Sequence, residues 1–372
     1  MNRRQILLST GALALVSANP LRAADGGGVS KEAHDLYESV IVFDANLGPP
    51  INDTFPFPKA MLDMVRDSGV TAVKTSLGGS DEKFEDTVGE IAFFQRMIEA
   101  HPELFLQVRE ASDFARAKRE KKFAILFSFE STDMFEGKIE RIELFRDLGV
   151  RVMQLSYNKT SLWASGVMAD PPAGLTELGR KAVAAMNAQG VAIDISHADE
   201  ATSKDVLAAS KPAVLITHAG CAVIHPHPRN KSDALLRAVA DKGGVVGIFD
   251  LPYLTASPRQ PALDDYMAHM THALSVCGED HVGIGTDGSV TTIDDLDAYR
   301  DHLAQEVADR AKAGIGAKGE RADTYPFVVD LRGVEQFRKL MHLLATRGYG
   351  EARIEKIMGL NFLAYAREIW GA

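Results

Sequence analysis

Short apolar segments that alternate with amphipathic ones are the feature that most restricts how this chain can fold. Eight apolar segments have the length of strands, and most of them are almost continuously hydrophobic. That composition is typical of strands buried on both faces of a parallel sheet. The predicted strands span residues 41–46, 72–77, 124–129, 152–157, 192–196, 214–217, 245–249 and 282–286.

Amphipathic segments between these strands have helical periodicity, and they span residues 59–67, 82–100, 138–147, 175–189, 200–210, 233–241 and 264–276. This alternation predicts an α/β fold, a (β/α)8 TIM barrel, with an open doubly wound sheet as the alternative. Two segments exceed a minimal barrel. Residues 105–122 add a strand and a helix before the third strand, and residues 288–329 form a polar excursion or lid after the last strand.

The first 24 residues differ in composition from the rest of the chain and predict an export signal. Arg3 and Arg4 precede an apolar run over residues 6–16, which is too short to span a bilayer comfortably. The paired arginines favour the twin-arginine route to the periplasm or the exterior. An ordinary secretory signal and an uncleaved leader acting as an anchor are the alternatives. Residues 25–372 are expected to form a single domain.

Charge and cysteine content exclude several classes of protein. The chain has 372 residues with 41 Lys plus Arg against 51 Asp plus Glu, a net charge of -10. This acidic balance offers no electrostatic surface for nucleic acid, so we expect no nucleic-acid partner. Two cysteines, Cys221 and Cys277, are too few for a disulfide framework and are expected to be buried free thiols.

Four polar residues stand at the carboxyl ends of predicted strands. Glu130 ends the run FSFE, His197 ends IDISH, His218 ends LITH and Asp287 ends IGTD. Barrels of this kind place their active sites at that face. Imidazole and carboxylate groups are suitable ligands for Zn²⁺. The four residues therefore predict a zinc site or a similar metal site.

Longer motifs carry a resemblance to a known family. They are LGVRVMQLSYN, GLTELGRKAV, IDISHADEAT, ITHAG with HPRN, GGVVGI, HVGIGTDG and GLNFL, in that order along the chain. With them the chain resembles the membrane (renal-type) dipeptidase family of zinc hydrolases over almost all of residues 25–372. The resemblance implies a barrel of the metal-dependent hydrolase type, two zinc ions that share one carboxylate, hydrolysis of dipeptides, and a possible homodimer.

The same resemblance implies roles for individual residues. Glu130 corresponds to the carboxylate that bridges the two zinc ions, and His197 and His218 correspond to the imidazoles that hold one of them. Asp287 corresponds to the carboxylate that acts as acid and base. Arg229, in HPRN, corresponds to the arginine that holds the substrate carboxylate, a role that its bidentate geometry suits.

The chain departs from the family pattern at three positions. Asn46 and Gly48 stand where family members carry a His-x-Asp pair that ligates the second zinc, and Tyr157 stands where they usually carry a histidine. Glycine has no side-chain ligand, and a neutral amide is a poor ligand for zinc. The remaining set of Glu130 and the two histidines predicts one zinc per chain, with two as the alternative.

These residues predict an exported metal-dependent hydrolase that cleaves a dipeptide or a similar small amide bearing a free carboxylate. We expect Asp287 to transfer protons, and Tyr157 to donate a hydrogen bond to the developing oxyanion. Asn46, Arg229 and Tyr157 are expected to face the substrate. An inactive dipeptidase-like binding or processing protein, and a hydrolase of a non-dipeptide amide, remain the alternative interpretations.

Other polar positions receive weaker interpretations. Asp194, in IDIS, is expected to be structural or to orient a ligand, and Asp250 stands at a strand end where it can enter the pocket. His225 and His227, in HPHP, are interpreted as groups around the ligands or facing the substrate.

Overall fold

The computed structural model of the chain describes residues 31–52 and 55–371, so the predicted export signal at residues 1–24 lies outside the described residues. Within these ranges the chain forms twelve short strands. In chain order they are β1 Phe43–Asp44, β2 Leu47–Gly48, β3 Ala72–Ser76, β4 Phe105–Gln107, β5 Phe123–Phe129, β6 Val150–Met153, β7 Ala192–Ile193, β8 Ile216–Cys221, β9 Asn230–Lys231, β10 Val246–Ile248, β11 Val282–Ile284 and β12 Gly288–Ser289.

Eight of these strands build a parallel barrel. Their hydrogen-bonded order is β7, β6, β5, β3, β1, β11, β10 and β8, with every pair parallel. Between β7 and β8 the ladder is reduced to a single parallel bridge from Asp194 to Leu215. Two main-chain hydrogen bonds of 2.8 Å, Ile195 N to Leu215 O and Leu215 N to Ile193 O, support that bridge. The predicted (β/α)8 architecture is confirmed.

Helices follow the strands and pack outside the barrel. They are α1 Lys31–Ser39, α2 Lys59–Ser68, α3 Phe84–Ala100, α4 Ser112–Glu120, α5 Arg141–Asp147, α6 Glu177–Ala188, α7 Glu200–Ala209, α8 Asp233–Asp241, α9 Leu263–Cys277, α10 Leu296–Lys312, α11 Gln336–Thr346, α12 Glu351–Glu355 and α13 Asn361–Trp370. Side-chain oxygens of Thr176, Asp199 and Ser232 accept hydrogen bonds from main-chain N–H groups in the first turns of α6, α7 and α8. Such caps define where these helices begin.

The segment before the third barrel strand contains the predicted extra strand and helix, β4 and α4. Strand β4 pairs with the first half of β5, starting from Phe105 opposite Phe123. Strand β6 then pairs with the second half of β5, starting from Val150 opposite Phe127. One edge of β5 is therefore shared by two strands, which explains why β5 is the longest strand described.

Several strands differ from their predicted bounds at the carboxyl ends. The first predicted strand ends at Asp44, and its continuation Leu47–Gly48 pairs with Gly288 and Ser289 instead of with the barrel. Strand β8 starts at Ile216 and continues to Cys221, where it pairs with β9. At these ends the regular pairing of the barrel strands stops, and the side chains of the candidate site follow.

The core lies on both sides of the barrel wall. Apolar residues between the strands and the surrounding helices form one buried cluster, and a smaller cluster fills the lower barrel interior. Phe362 and Tyr365 from α13 belong to that smaller cluster. Lys74, on β3, lines the same interior space together with Phe43 and Leu126, although it is charged.

Two other sequence predictions are addressed by the fold. Cys221 and Cys277 are both buried and free, as expected, and burial raises the pKa of each thiol to about 12. Among the residues described, we find no helix with the length and apolar character needed to cross a membrane.

Candidate metal centre and substrate cavity

Glu130, His197 and His218 come together at the carboxyl ends of three barrel strands. One ligand atom from each residue lies within 4.8 Å of the others, and all three side chains are buried. His197 Nε2 is 3.0 Å from His218 Nε2 and 3.7 Å from Glu130 Oε2. The structure thus brings the three predicted ligands into one cluster.

The ring orientation of His197 is fixed by a neighbouring amide. Its Nδ1 lies 2.9 Å from Asn158 Oδ1, while the amide nitrogen of Asn158 donates to the carbonyl of Ile315. An amide oxygen only accepts, so Nδ1 of His197 carries the proton. In the neutral ring, the lone pair of Nε2 then points into the cluster.

His218 is oriented by a different chain of contacts. Its Nδ1 lies 2.8 Å from Thr217 Oγ1, which is 2.5 Å from Asp194 Oδ2. Asp194 as a carboxylate only accepts, so the threonine hydroxyl donates to Asp194 and accepts from Nδ1–H of His218. Asp194 thus contacts His218 through Thr217, and its expected role in orienting a ligand stays a prediction.

This donor set fits one divalent ion. Two imidazole lone pairs that face each other at 3.0 Å repel unless a cation lies between them. Ligand atoms about 2.1 Å from a tetrahedral zinc ion lie roughly 3.4 Å apart, between the 3.0 Å from His197 Nε2 to His218 Nε2 and the 3.7 Å from His197 Nε2 to Glu130 Oε2. Two histidines with one glutamate also match catalytic zinc sites that keep a fourth position open. No described residue supplies a His-x-Asp pair beside them.

The opposite side of Glu130 has different partners. Glu130 Oε1 accepts from Asn46 Nδ2 at 2.8 Å and from Ser76 Oγ at 2.9 Å. Asn46 Oδ1 in turn accepts from Lys74 Nζ at 2.8 Å. Asn46 thus has protein partners on both ends of its amide, and its expected contact with substrate stays a prediction.

Asp287 lies between the two sides of the cluster. Its Oδ1 accepts from Asn46 Nδ2 at 2.6 Å, and its Oδ2 is 4.0 Å from His218 Nε2. The residue has a φ of 62°, a left-handed conformation that aspartate tolerates better than most residues. The main-chain N–H of Asp287 donates to Asn46 O at 2.8 Å, which holds this conformation.

Tyr157 covers one face of the metal cluster. Its ring stacks on the ring of His197 with centroids 4.1 Å apart. Its hydroxyl lies 3.5 Å from Arg310 Nη2, and Arg310 pairs with Glu320 at 2.7 Å. Tyr157 is therefore placed beside the cluster, at the boundary between the barrel and the α10 segment.

A cavity of about 180 Å³ opens next to the cluster. Arg229 lines it, is only 2% exposed, and leaves Nε and Nη2 without a hydrogen-bond partner among the described residues. Buried guanidinium nitrogens without partners are costly. Two such N–H groups side by side are suited to a carboxylate that arrives with a ligand. Asp287 and Tyr157 line the same cavity.

Residues after the last barrel strand close the cavity from above. The predicted excursion over residues 288–329 contains α10, which contributes Leu303 and Val307 to the lining. His227 joins this segment to the barrel, because its Nε2 lies 2.6 Å from Lys318 O and its ring stacks on Tyr253. Burial lowers the pKa of His227 to about 4, so the ring donates as a neutral group.

Asp250 also lines the cavity, as its position at a strand end predicted. It is buried, and its Oδ1 has no hydrogen-bond partner within the described residues. Burial, with the nearby charges of Asp44 and Asp287, raises the pKa of this carboxyl well above its ordinary value. Asp250 is thus favoured in its neutral form.

Sequence reasoning missed residues that support the centre. Lys74 is the clearest, and a signal was present, since it is the one charged residue in the buried strand Ala72–Ser76. Asn158 and Thr217 are adjacent in sequence to Tyr157 and His218, but nothing in their spacing reveals a role in orienting imidazoles. Arg310 and Glu320 lie in the long segment whose fold the sequence left open.

Comparison with known proteins gives these features a family context. The family model described as membrane dipeptidase (peptidase family M19) matches residues 31–312. The dipeptidase tcpJ of Claviceps purpurea (strain 20.1) is 26% identical to this chain over 287 residues, covering 76% of this chain and 60% of that protein. The match thus spans less than two thirds of that relative.

Solved structures give the same fold. An amidohydrolase from Pseudomonas aeruginosa is 29% identical, with a TM-score of 0.77, and the match covers 91% of this chain and 99% of that one. A metallo peptidase from Rhodobacter sphaeroides, liganded with a phosphinate mimic of the dipeptide L-Ala-D-Ala, has a TM-score of 0.72 at 18% identity, covering 89% and 99%. The second likeness, at its lower identity, concerns the fold alone.

Proposed function

This chain belongs to the membrane dipeptidase family, and from that membership we propose that it hydrolyses a dipeptide, or a similar small amide, with a free carboxylate. The observation that carries the proposal is the cavity beside the cluster. It combines the two unpartnered N–H groups of Arg229 with Asp287, and it adjoins two imidazoles whose lone pairs face each other.

We propose that Glu130, His197 and His218 hold one zinc ion. When bound, zinc supplies a Lewis acid that polarises a carbonyl and lowers the pKa of water to about 7. Support comes from the two neutral imidazoles and the single carboxylate, which match the ligand preference of zinc.

Asp287 would move the proton in this reaction. Its carboxylate lies 4.0 Å from His218 Nε2 and lines the cavity, so it can accept a proton from the attacking water and pass it to the leaving amine. The hydrogen bond from Asn46 Nδ2 holds the other carboxylate oxygen in place. Tyr157 would donate a hydrogen bond from its hydroxyl to the oxygen of the scissile carbonyl.

Arg229 would hold the substrate carboxylate, and the rest of the cavity would select its side chain. The cavity lining also includes the apolar residues Leu303, Val307 and Phe327. A carboxylate bound bidentately at Arg229 would place the adjoining side chain against them. We therefore propose a preference for substrates whose carboxyl-terminal residue is apolar.

A binding or processing protein without turnover is the second candidate function. The observation in its favour is that Asn46, which stands at a family metal-ligand position, is hydrogen-bonded to Lys74 and Glu130 instead. Ser76 donates to the same carboxylate oxygen of Glu130. A hydrolase of a non-dipeptide amide is the third, because a changed first strand alters one wall of the site.

We further propose that residues 1–24 direct export, by the twin-arginine route to the periplasm, and that residues 25–372 act as one domain. The paired arginines before the apolar run support the route. A homodimer is proposed from the family resemblance.

The test is a substrate panel with zinc-loaded protein purified after export. The panel contains dipeptides with apolar or charged carboxyl-terminal residues, the same dipeptides as carboxamides, and N-acyl amino acids. We expect turnover of the free-carboxylate dipeptides and at least about tenfold less of the carboxamides. Absence of turnover, with tight ligand binding by metal-free protein, would replace this proposal by the binding function.

A further inference from the structure

We propose that the ammonium of Lys74, both by its charge and through its hydrogen bond to Asn46, takes the place of a second cation beside Glu130 and limits this centre to one metal ion. This inference rests on the proposed function in one respect, namely that Glu130, His197 and His218 hold a metal. It adds a positioning residue, Lys74, and a reason for the metal count.

Lys74 is enclosed in the barrel and fully engaged by hydrogen bonds. Its side chain is 1% exposed. Its Nζ lies 2.8 Å from Asn46 Oδ1, 3.1 Å from Ser128 Oγ and 3.2 Å from Ser76 Oγ. Three acceptors for three N–H donors satisfy an ammonium group that burial would otherwise disfavour strongly.

The ammonium fixes which end of the Asn46 amide faces the carboxylates. Oδ1 accepts from Lys74, and the Ser76 hydroxyl also lies 3.3 Å from this oxygen. Nδ2 is therefore turned the other way, where it donates to Glu130 Oε1 at 2.8 Å and to Asp287 Oδ1 at 2.6 Å. One amide thus links a positive group to two carboxylates.

A carboxylate that bridges two metal ions needs both of its oxygens for metal. Here Glu130 Oε2 faces the imidazoles, whereas Oε1 already accepts from Asn46 and Ser76. A second divalent ion at Oε1 would also be near the Lys74 ammonium, because Lys74 Nζ and Glu130 Oε1 both contact Ser76 Oγ, at 3.2 Å and 2.9 Å, and like charges repel in a buried site. The hydrogen bonds at Oε1 and the charge of Lys74 thus exclude a second metal ion from this position.

This arrangement predicts how many metal ions the centre binds when the family's His-x-Asp ligands are restored. Restoring the missing ligands with Asn46→His and Gly48→Asp is not enough, because the ammonium of Lys74 remains. Removing the charge as well, with Lys74→Met, should open the position. The metal count, rather than activity, separates these cases.

The experiment is zinc content by elemental mass spectrometry after saturation and desalting, on the full chain purified after export. We expect about one zinc per chain in the wild type and in the Asn46→His/Gly48→Asp variant. The triple variant with Lys74→Met should bind about two. Two zinc ions in the Asn46→His/Gly48→Asp variant would overturn the role of Lys74.

A milder pair of variants covers the case in which the triple variant does not fold. Asn46→Asp preserves shape and should keep about one zinc, because the new carboxylate pairs with Lys74. Asn46→Asp/Lys74→Met leaves that carboxylate available and should bind a second ion. If it also stays at one, with circular dichroism unchanged, the inference is wrong.

Lys231 provides the matched control. It is another buried lysine, on β9, and its Nζ donates to Ala198 O at 2.8 Å rather than to Asn46. Lys231→Met should leave the zinc count of the Asn46→His/Gly48→Asp background unchanged. Two zinc ions per wild-type chain would contradict this inference but not the proposed function. No bound zinc at any zinc concentration would contradict both.

Discussion

The two oxygens of Glu130 face two regions of opposite chemistry. Oε2 lies toward the imidazoles of His197 and His218, whose nitrogens have lone pairs to share. Oε1 lies toward Asn46 and Ser76, which donate hydrogen bonds to it. The imidazole side needs a cation from solution, and the amide side has one built into the chain at Lys74.

This difference shows that a carboxylate cluster can be neutralised in two ways within one site. A metal ion brings charge and reactivity, while a buried ammonium brings charge alone. The metal would then be held on the imidazole side, where Tyr157 and Asp287, which line the cavity, lie against His197 and His218. If the two sides are as separate as the contacts indicate, substitutions on one side should leave the other intact.

The largest effect should follow from breaking the imidazole side. His197→Ala or His218→Ala removes one of three ligands, and we expect loss of zinc and a fall in kcat/KM of at least about 10³-fold. Zinc content and dipeptide hydrolysis are measured together. His272, which pairs with Asp233 away from the cluster, is the control, and His272→Ala should keep both. Retained zinc in the His197 and His218 variants would contradict the assigned ligands.

Asp287 contacts Asn46 on the amide side and lies 4.0 Å from His218 on the imidazole side. Its replacement tests whether it transfers protons or also holds the metal. Asp287→Asn keeps a residue type that tolerates the positive φ but removes the proton acceptor. We expect kcat to fall about 10²–10⁴-fold with the zinc content unchanged. Rate and metal content are measured on the same preparation. Loss of zinc as well would make Asp287 a ligand and join the two sides.

Arg229 belongs to neither side and should affect binding more than chemistry. Arg229→Met keeps the volume but loses the guanidinium, and we expect KM for free-carboxylate dipeptides to rise about 10–100-fold with a smaller change in kcat. The same substrates as carboxamides serve as the internal control and should lose little. Equal losses on both substrate forms would show that Arg229 does not bind the carboxylate.

Acid should have the smallest effect, and it tests the imidazole side by comparing the stability of zinc-loaded and metal-free protein. Burial lowers the pKa of His269 to about 4, so the unfolded chain takes up a proton first, near its ordinary pKa of about 6.5. Stability therefore falls as pH drops from about 6.5 to about 4, with or without zinc. Zinc-loaded protein should lose more over this window, because imidazole ligands must be neutral.

The measurement is thermal unfolding of metal-free and zinc-loaded protein across that pH window. His269→Gln removes part of the shared loss and should leave the difference between the two forms intact. Parallel curves for the two forms would mean that the imidazoles do not hold the metal.

The sequence predicts the barrel and the metal ligands because both depend on local patterns. Apolar runs of strand length mark the barrel, and Glu130, His197 and His218 each end such a run. Parallel strands bring their carboxyl ends to one edge, so residues distant in sequence meet there. The extra strand and helix before β5 are predicted for the same reason.

The amide side could not be predicted in the same way. Lys74 and Asn46 are 28 residues apart, and their contact depends on the register of two strands and on which face each side chain takes. The sequence shows a charged residue in a buried strand, but not its partner. The cavity roof depends on how α10 packs, and a polar segment with little periodicity does not determine that.

The hydrogen bonds of Asn46 also bear on the order in which the protein folds and acquires its ion. Its amide donates to both Glu130 and Asp287, so part of the carboxylate cluster is already stabilised by the chain itself. Proteins whose ligands have no such partners often fold only when metal is present. We therefore expect the barrel to fold without the ion, which would then enter a preformed site, so metal supply would set when activity appears rather than whether the chain folds.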